Sequence, residues 1–415
     1  MAGLGKYSFG TGDRFGKEGV AQLKAVLKAR EEGIEVTPVW NKSHREHKTV
    51  NSKPHLVREE ADASVKSLGY SGKYFVDADH IDLDIVDEYL AVSNFFTIDV
   101  ADYIGKSAAE KEKDEFLKYI AKFQQKVNIP GIATEFKISE AALNEILNTF
   151  LFAAKKASEV YQYIKENKSE DFVVEISMDE VENPQTPVEL FFVLAAFAFF
   201  EIPVNTIAPK FTGRFNKGID YEGDLNKFTK EFEEDLLVLA FAKKEFGLPK
   251  DLKLSIHSGS DKFSIYPIMN RLIKKHDAGL HVKTAGTTWL EEINVIAESG
   301  DDGFEFAAFI YKEALDRFEE LTSPYPDVLD IDKSKLPEVS ELKKAGRERM
   351  GRTLRHNPEE QDFNPHFRQL MHCAYKLAGE NELEFFRLLD KYRKKIEKRV
   401  TENIFDKHLR KIYLI

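Results

Sequence analysis

The feature that most constrains this chain is a repetition: eight short apolar runs, each closed by polar or charged residues and most followed by a helical pattern. In order they are "KYSFGTGDRFG", "IEVTPVWNKSHREH", "KYFVDADHIDLD", "NFFTIDVADYIG", "DFVVEISMDEV", "VNTIAPKFTGRF", "LKLSIHSGSDKFS" and "LHVKTAGTTWLEE". Between them apolar residues recur at helical spacing, as in "KEGVAQLKAVLKAREEG". Strands that alternate with helices pair in parallel, because each return crosses over through a helix. Eight such units favour an α/β chain closed into a (β/α)8 TIM-like barrel over an open doubly wound sheet. A long helical stretch, about residues 106–170 and broken at "NIPGIATEFKIS", reads as an insertion after the fourth strand. Residues 1–336 are then the catalytic barrel, and the charged, helical residues 337–415 an extension packed on it.

The net charge of −11 gives no global attraction to nucleic acid or to an anionic membrane. An acidic ligand would need a local basic pocket. "VELFFVLAAFAFFEIP" is too short to span a bilayer and is flanked by glutamates, so it reads as a buried helix. The N-terminal "MAGLGKYSFGTGDRFG" lacks the pattern of a signal peptide. The single Cys373 forms no internal disulfide and points to the reducing cytoplasm. The expected partner is a small molecule, with the oligomeric state unassigned.

In a barrel of this kind the chemistry lies at the carboxyl ends of the strands. Almost every run ends in groups able to ligate a metal, move a proton or hold an anion. Among them are Arg14, Lys42, Asp77, Asp79, His80, Asp99, Glu175 and Asp179, then Lys210, Arg214, His257, Ser258, His281 and Lys283. A barrel built only for stability does not require this at every strand, so the pattern favours an enzyme over a binding protein. His80, His257 and His281 fall in the third, seventh and eighth runs, with carboxylates near by. A mixed imidazole and carboxylate set suits Zn²⁺, Mn²⁺, Ni²⁺ or Fe²⁺ better than Mg²⁺ or Ca²⁺. Taken singly, each of these histidines reads equally well as a hydrogen-bonded structural residue. In "YFVDADHIDLD", Asp77 and Asp79 share one face of an extended chain, and a cation would lower the cost of packing them. That places His80 on the metal and makes Asp79 the general base, with Glu175 as its opposite acid or base. Asp77 stays open. Arg14, Lys210 and Lys283 are candidates for a substrate carboxylate or phosphate, and Ser258 for a further substrate contact.

Three motifs point elsewhere. "GTGDRFG" has glycine spacing unlike a dinucleotide fingerprint, and Asp13 would face the pyrophosphate. "SHREHKTVNSKPH" carries an HxxH spacing without the zincin glutamate and reads as a mobile basic loop. "IHSGSDKFS" sets serines beside His257 but is a poor hydrolase triad.

The segments "FGTGDRFG", "DADHIDL", "VVEISMDEVENPQTP", "APKFTGRFNKGIDYEGDL", "IHSGSDKFSIYP" and "HVKTAGTTWLE" resemble, in this order, the tagaturonate epimerase family. The likeness extends to "RQLMHCAYKLAG" and "FDKHLRKIYL", so it covers essentially the whole chain. The resemblance implies interconversion of the ketohexuronates tagaturonate and fructuronate, a divalent metal and an acid/base pair. On the matching segments it implies His80, His257 and His281 as ligands and Asp79 and Glu175 as proton-transfer groups. The inverted carbon lies β to the ketone, where simple enolisation does not invert it, so retro-aldol cleavage and re-addition is the expected route. The alternatives are a metal-dependent keto-aldose isomerase and an epimerase of neutral ketoses.

Overall fold

The computed structural model describes residues 3–179, 181–284 and 286–414. The apolar runs become strands β1 (Tyr7–Gly12), β2 (Val36–Ser43), β3 (Phe75–Ile81) and β4 (Phe95–Asp99). They continue as β5 (Val173–Ser177), β6 (Thr206–Ala208), β7 (Lys253–His257) and β8 (Leu280–Thr284). All pair in parallel, and β1 closes the barrel against both β2 and β8.

The period of two explains the interior. Outward residues such as Val76, Phe96, Ile98, Val174 and Ile176 join the large core between sheet and helices. Inward residues Val39, Phe75, Phe95 and Val173 form, with Leu4, a separate apolar floor inside the barrel. The next inward positions upward on β3, β4, β5 and β8 are Asp77, Thr97, Glu175 and Lys283, all buried. The interior therefore changes from apolar to polar or charged within two residues along β3, β4 and β5, toward their carboxyl ends. Gly10 on β1 leaves room for this layer, since a Cβ there would meet Lys283 Cγ at 2.9 Å.

The connections differ in weight. The helix-like "IVDEYLAVS" after β3 is only a 3-10 turn, Val86–Glu88, because residues 82–94 barely supply the dozen residues a crossover needs. The stretch after β4 folds as helices Glu110–Tyr119, Glu140–Ile146 and Phe152–Asn167, with a π-turn at Leu147–Leu151 and a small hairpin of Lys126–Val127 against Phe136–Lys137. "SHREHKTVNSKPH" is no loose loop. Ser43 and Glu46 form a capping box that starts helix His44–Thr49, and Pro54 opens helix Pro54–Ser67. Helix Pro187–Phe199 is apolar all round because the insertion covers it, with Phe123 edge-on to Phe191 at 4.9 Å. No helix among the described residues is long and apolar enough to cross a membrane.

Helices beyond the barrel begin at Asp301–Asp316 and end with Glu382–Glu402, which runs on as the π-helical Asn403–Leu414. Helix Glu382–Glu402 packs on Gly19–Glu31 and Thr287–Ser299. One buried carboxylate ties these helices to the barrel mouth. Asp261, four residues past His257, accepts from Arg368 Nη2 (2.9 Å), His356 Nδ1 (3.0 Å) and Thr287 Oγ1 (3.1 Å), and lies 3.1 Å from His408 Nε2.

Candidate active site

The charged layer centres on Lys283. Its ammonium lies 2.7 Å from Asp77, 2.7 Å from Asp79 and 3.0 Å from Glu175, and donates to Thr97 Oγ1 at 2.6 Å. Three carboxylates around one cation leave an excess of negative charge in a dry site. Burial, the repulsion of Asp79 and Glu175 and the opposing pull of Lys283 bring Asp77 up to about 7. Burial would also raise Asp79, but Lys283, His80 and His257 outweigh it and hold that carboxyl at about 2.

Directly above, strand geometry is broken on purpose. Alternation would turn His80 to the outer face. Instead it has φ +54°, a left-handed conformation rare for a non-glycine residue, and the β3–β4 register shifts between Ala78 and Ile81. The shift brings the ring to the mouth, where its centroid lies 5.3 Å from that of His257. One nitrogen of each ring is fixed by a carboxylate. His80 Nδ1 bonds to Asp99 Oδ2 at 2.9 Å, and His257 Nε2 to Glu175 Oε1 at 2.7 Å. Of the other nitrogens, His257 Nδ1 lies 3.2 Å from Asp179 Oδ2 and His80 Nε2 lies 3.9 Å from Asp79 Oδ1. His80, His257 and Asp179 each offer a ligand atom, all within 4.8 Å of one another. Burial would lower both imidazoles, but Asp79, Asp99 and Asp179 lift His80 to about 10, and Asp179 and Glu175 lift His257 to about 9 against Lys283.

This donor set fits a divalent metal. Two imidazole nitrogens and a carboxylate oxygen converge, and each imidazole is oriented by its own outer carboxylate, as metal-ligating histidines usually are. His257 Nδ1, the nitrogen away from Glu175, is buried without a hydrogen-bond partner although Asp179 Oδ2 is 3.2 Å away. Asp179 is one of the strand-end carboxylates of the sequence but not one of the ligands expected from it. It is held by the Ser177 hydroxyl, and its spacing from Glu175 (two strand repeats) was the available signal.

The other sequence-derived candidates lie at varying depth. His281 sits lower in the barrel, where its Nδ1 shares a 2.9 Å hydrogen bond with Ser8 Oγ and its ring packs 5.4 Å from Phe95. Burial, resisted by Glu175, takes it down to about 3. Glu175 is fully buried and receives Thr206 Oγ1 at 2.6 Å, so it stands beneath the imidazoles and not at the opening. Ser258 Oγ donates to the backbone oxygen of Lys283 at 2.7 Å, joining the β7 and β8 loops. Arg14 is buried, pairs with Glu46 and stacks on Tyr375 at 4.7 Å. Lys210 is half-buried past β6, its backbone N–H donating to Gln185. In the "GTGDRFG" turn the nest of N–H groups that a phosphate would need is filled by Asp13, whose carboxylate accepts from Phe15, Gly16, Lys17 and Glu18.

Fold and site together define a (β/α)8-barrel enzyme whose imidazole–carboxylate centre lies at the carboxyl ends of its strands. Residues 2–412 match the tagaturonate epimerase family, and the chain belongs to that family; it is an enzyme of the epimerase class. A tagaturonate/fructuronate epimerase from Thermotoga maritima is 33% identical over 356 residues, which span 82% of this chain and 69% of that protein. The native fructuronate-tagaturonate epimerase structure from Cohnella laeviribosi superposes with a TM-score of 0.80 at 25% identity, covering 99% of this chain and 82% of that one. Its form with one bound glycerol gives 0.82 at 24% identity, with the same coverage.

Proposed function

We propose that the protein interconverts D-tagaturonate and D-fructuronate with a divalent metal, by retro-aldol cleavage and re-addition. The observation that carries the proposal is the convergence of His80, His257 and Asp179 directly above the Asp79–Lys283 pair, in a chain of this family. A metal held by those three side chains supplies Lewis-acid polarisation of the substrate's ketone oxygen.

The chain's own groups do the rest. Asp79, ionised and at the rim of the buried layer, accepts the proton of the hydroxyl on the carbon to be inverted. As that hydroxyl becomes an aldehyde, the bond to the carbon α to the ketone breaks, and its electron pair passes into an enediolate. Lys283 faces the developing negative charge with a preorganised ammonium, whose placement costs nothing at the moment of reaction. The aldehyde turns, the bond re-forms on its other face, and Asp79 returns the proton. Glu175 and Asp99 keep the two imidazoles in place. The substrate carboxylate requires basic groups at the mouth, for which Arg14 and Lys210 are the sequence-derived candidates.

The test is an NMR product assay. Protein stripped with chelator and reloaded with Zn²⁺, Mn²⁺, Ni²⁺ or Fe²⁺ is mixed with fructuronate in deuterated water. Metal-dependent tagaturonate without deuterium at the inverted carbon is the expected result. Aldose products would indicate a keto-aldose isomerase instead, and no conversion with any metal would remove the substrate assignment.

A further inference from the structure

We propose that Asn41, His47 and Tyr89 form a subsite for the hydroxyl groups of the sugar chain, on the β1–β2–β3 side of the barrel mouth. The assignment deepens the hexuronate reading and rests on it. All three side chains belong to residues exposed to 3% or less, and each keeps one polar atom without a hydrogen-bond partner: Asn41 Oδ1, His47 Nε2 and Tyr89 Oη. Buried polar atoms are nearly always paired in folded proteins, so orphans that neighbour one another beside a reaction centre call for a ligand that pairs them.

Sheet register sets the three beside the charged layer. Asn41 is the inward position of β2 two residues above Val39 of the apolar floor, and it pairs with Asp77 on β3 and Gly12 on β1. It therefore stands one strand spacing, about 4.8 Å, from the strand residue that shares Lys283 with Asp79. Ser43, the next inward position, pairs with Asp79 and caps helix His44–Thr49, which carries His47. Tyr89 lies in the loop that follows His80, its ring centroid 6.3 Å from that of His47. Burial first, then the charges of Glu88, Asp79 and Asp77, push its hydroxyl up, so it stays protonated. On the other flank of Asn41, β1 offers only Gly12. Lys283 covers Gly10 one level below, and a glycine inside a strand suits the close approach of a ligand.

The set is neutral, and that selects hydroxyls. Burial, then the charge of Lys42, pushes His47 down to about 3, so its ring is uncharged near neutral pH. Lys42, a donor only, donates to Ser52 Oγ at 2.7 Å, and Ser52 Oγ shares a 2.9 Å hydrogen bond with His47 Nδ1. Ser52 keeps its own hydrogen for Nδ1, which leaves the imidazole hydrogen on Nε2. His47 Nε2 and Tyr89 Oη then donate and Asn41 Oδ1 accepts, the complement of hydroxyl groups that do both. A carboxylate only accepts. It would leave Asn41 Oδ1 unpaired and would meet the negative charge of the layer that Asp77 belongs to.

Tyr89→Phe and Asn41→Leu are compared with the purified parent enzyme for kcat, KM and calorimetric binding of fructuronate, and by thermal melting. The expected result is a KM about fivefold higher in each variant, the loss of one hydrogen bond, with a smaller change in kcat. Tyr89→Phe should melt no lower than the parent, because it removes a buried hydroxyl that has no partner in the free protein. An unchanged KM in either variant overturns the subsite. So does a lower melting temperature for Tyr89→Phe, which would show its hydroxyl already satisfied within the fold. If the parent binds fructuronate without converting it, the proposed reaction fails and the affinities decide the subsite alone: equal binding overturns it, and weaker binding to the variants supports it. A parent that neither binds nor converts fructuronate overturns both.

Discussion

Asp261→Asn is the substitution whose effect can be worked most directly from the geometry. The carboxylate is fully buried and meets Arg368 Nη2 at 2.9 Å, with His356, Thr287 and His408 around it. Burial would raise this carboxyl, but the hydrogen bond from His356 first, and then the charge of Arg368, hold it well below the usual range. At 2.9 Å and an effective dielectric of about 20, the Asp261–Arg368 attraction is about 6 kcal/mol before desolvation is counted. Removing one member of a buried pair costs about 3–5 kcal/mol, most of it the price of the stranded charge. Asparagine keeps an acceptor for one donor, and Arg368 keeps the backbone oxygens of Leu354 (2.6 Å) and Gly218, so the lower end, about 3 kcal/mol, is expected. At about 2.1 cal/mol/K per residue, a chain of 415 residues has an unfolding entropy of about 0.9 kcal/mol/K, so the melting temperature should fall by about 3–4 °C. A calorimetric or fluorescence melt measures this, and Arg368→Met with the double variant closes a cycle in which the two losses should be far from additive. A shift within about one degree, or strict additivity, would refute the view that this ion pair joins the C-terminal helices to the β7 loop.

Three further outcomes follow from the same geometry. Gly286→Ala forces a Cβ to 1.9 Å from His372 Nε2 and 2.8 Å from the backbone oxygen of Gly259, so it should destabilise by about 1–3 kcal/mol or more in urea unfolding, and His372→Ala should recover part of that. Lys253 is pushed down from 10.5 to about 7 by burial, with Asp251 and Glu175 pulling the other way. A depressed amine contributes stability above its unfolded value and loses it as pH falls toward 7, so unfolding measured from pH 10 to 7 should show the parent weakening relative to Lys253→Met. His257→Ala should abolish tight metal binding by calorimetry, whereas Asp79→Asn should keep the metal and lose turnover; the reverse pattern would exchange their roles.

The barrel was legible because most strands announce themselves twice, by an apolar run and by the helix pattern that follows it. The same period of two put Asp77 and Asp79 on one face, and the structure confirms that both point to Lys283. What alternation could not show is an exception to it. His80 reaches the mouth through a left-handed residue and a register shift, neither of which a histidine in a β-branched and aspartate-rich run announces. Asp179 was visible as a strand-end carboxylate, but its convergence with His257 depends on how far β5 extends relative to β7, which only the closed sheet determines. The capping box Ser43-x-x-Glu46 was readable and marks a helix start, yet the surrounding basic residues drew the eye to a loop. Arg368, His356 and His408 lie roughly a hundred or more residues from Asp261 in sequence, and contacts of that separation leave no local pattern.

The distribution of charge gives the site its logic. Asp77, Asp79 and Glu175 share one ammonium, and Asp99 and Asp179 add two more carboxylates within reach of the imidazoles. An interior so rich in anions stabilises positive charge, which is why both histidines are raised far above the ordinary imidazole value despite their burial. A divalent cation placed between them offsets the same excess without requiring both rings to be protonated. The same anionic centre repels a sugar acid, so the substrate's carboxylate must be held away from the carboxylates that receive its hydroxyls. A barrel mouth satisfies both demands by separating the two signs, and the carboxylates of this site lie on and just past β3, β4 and β5.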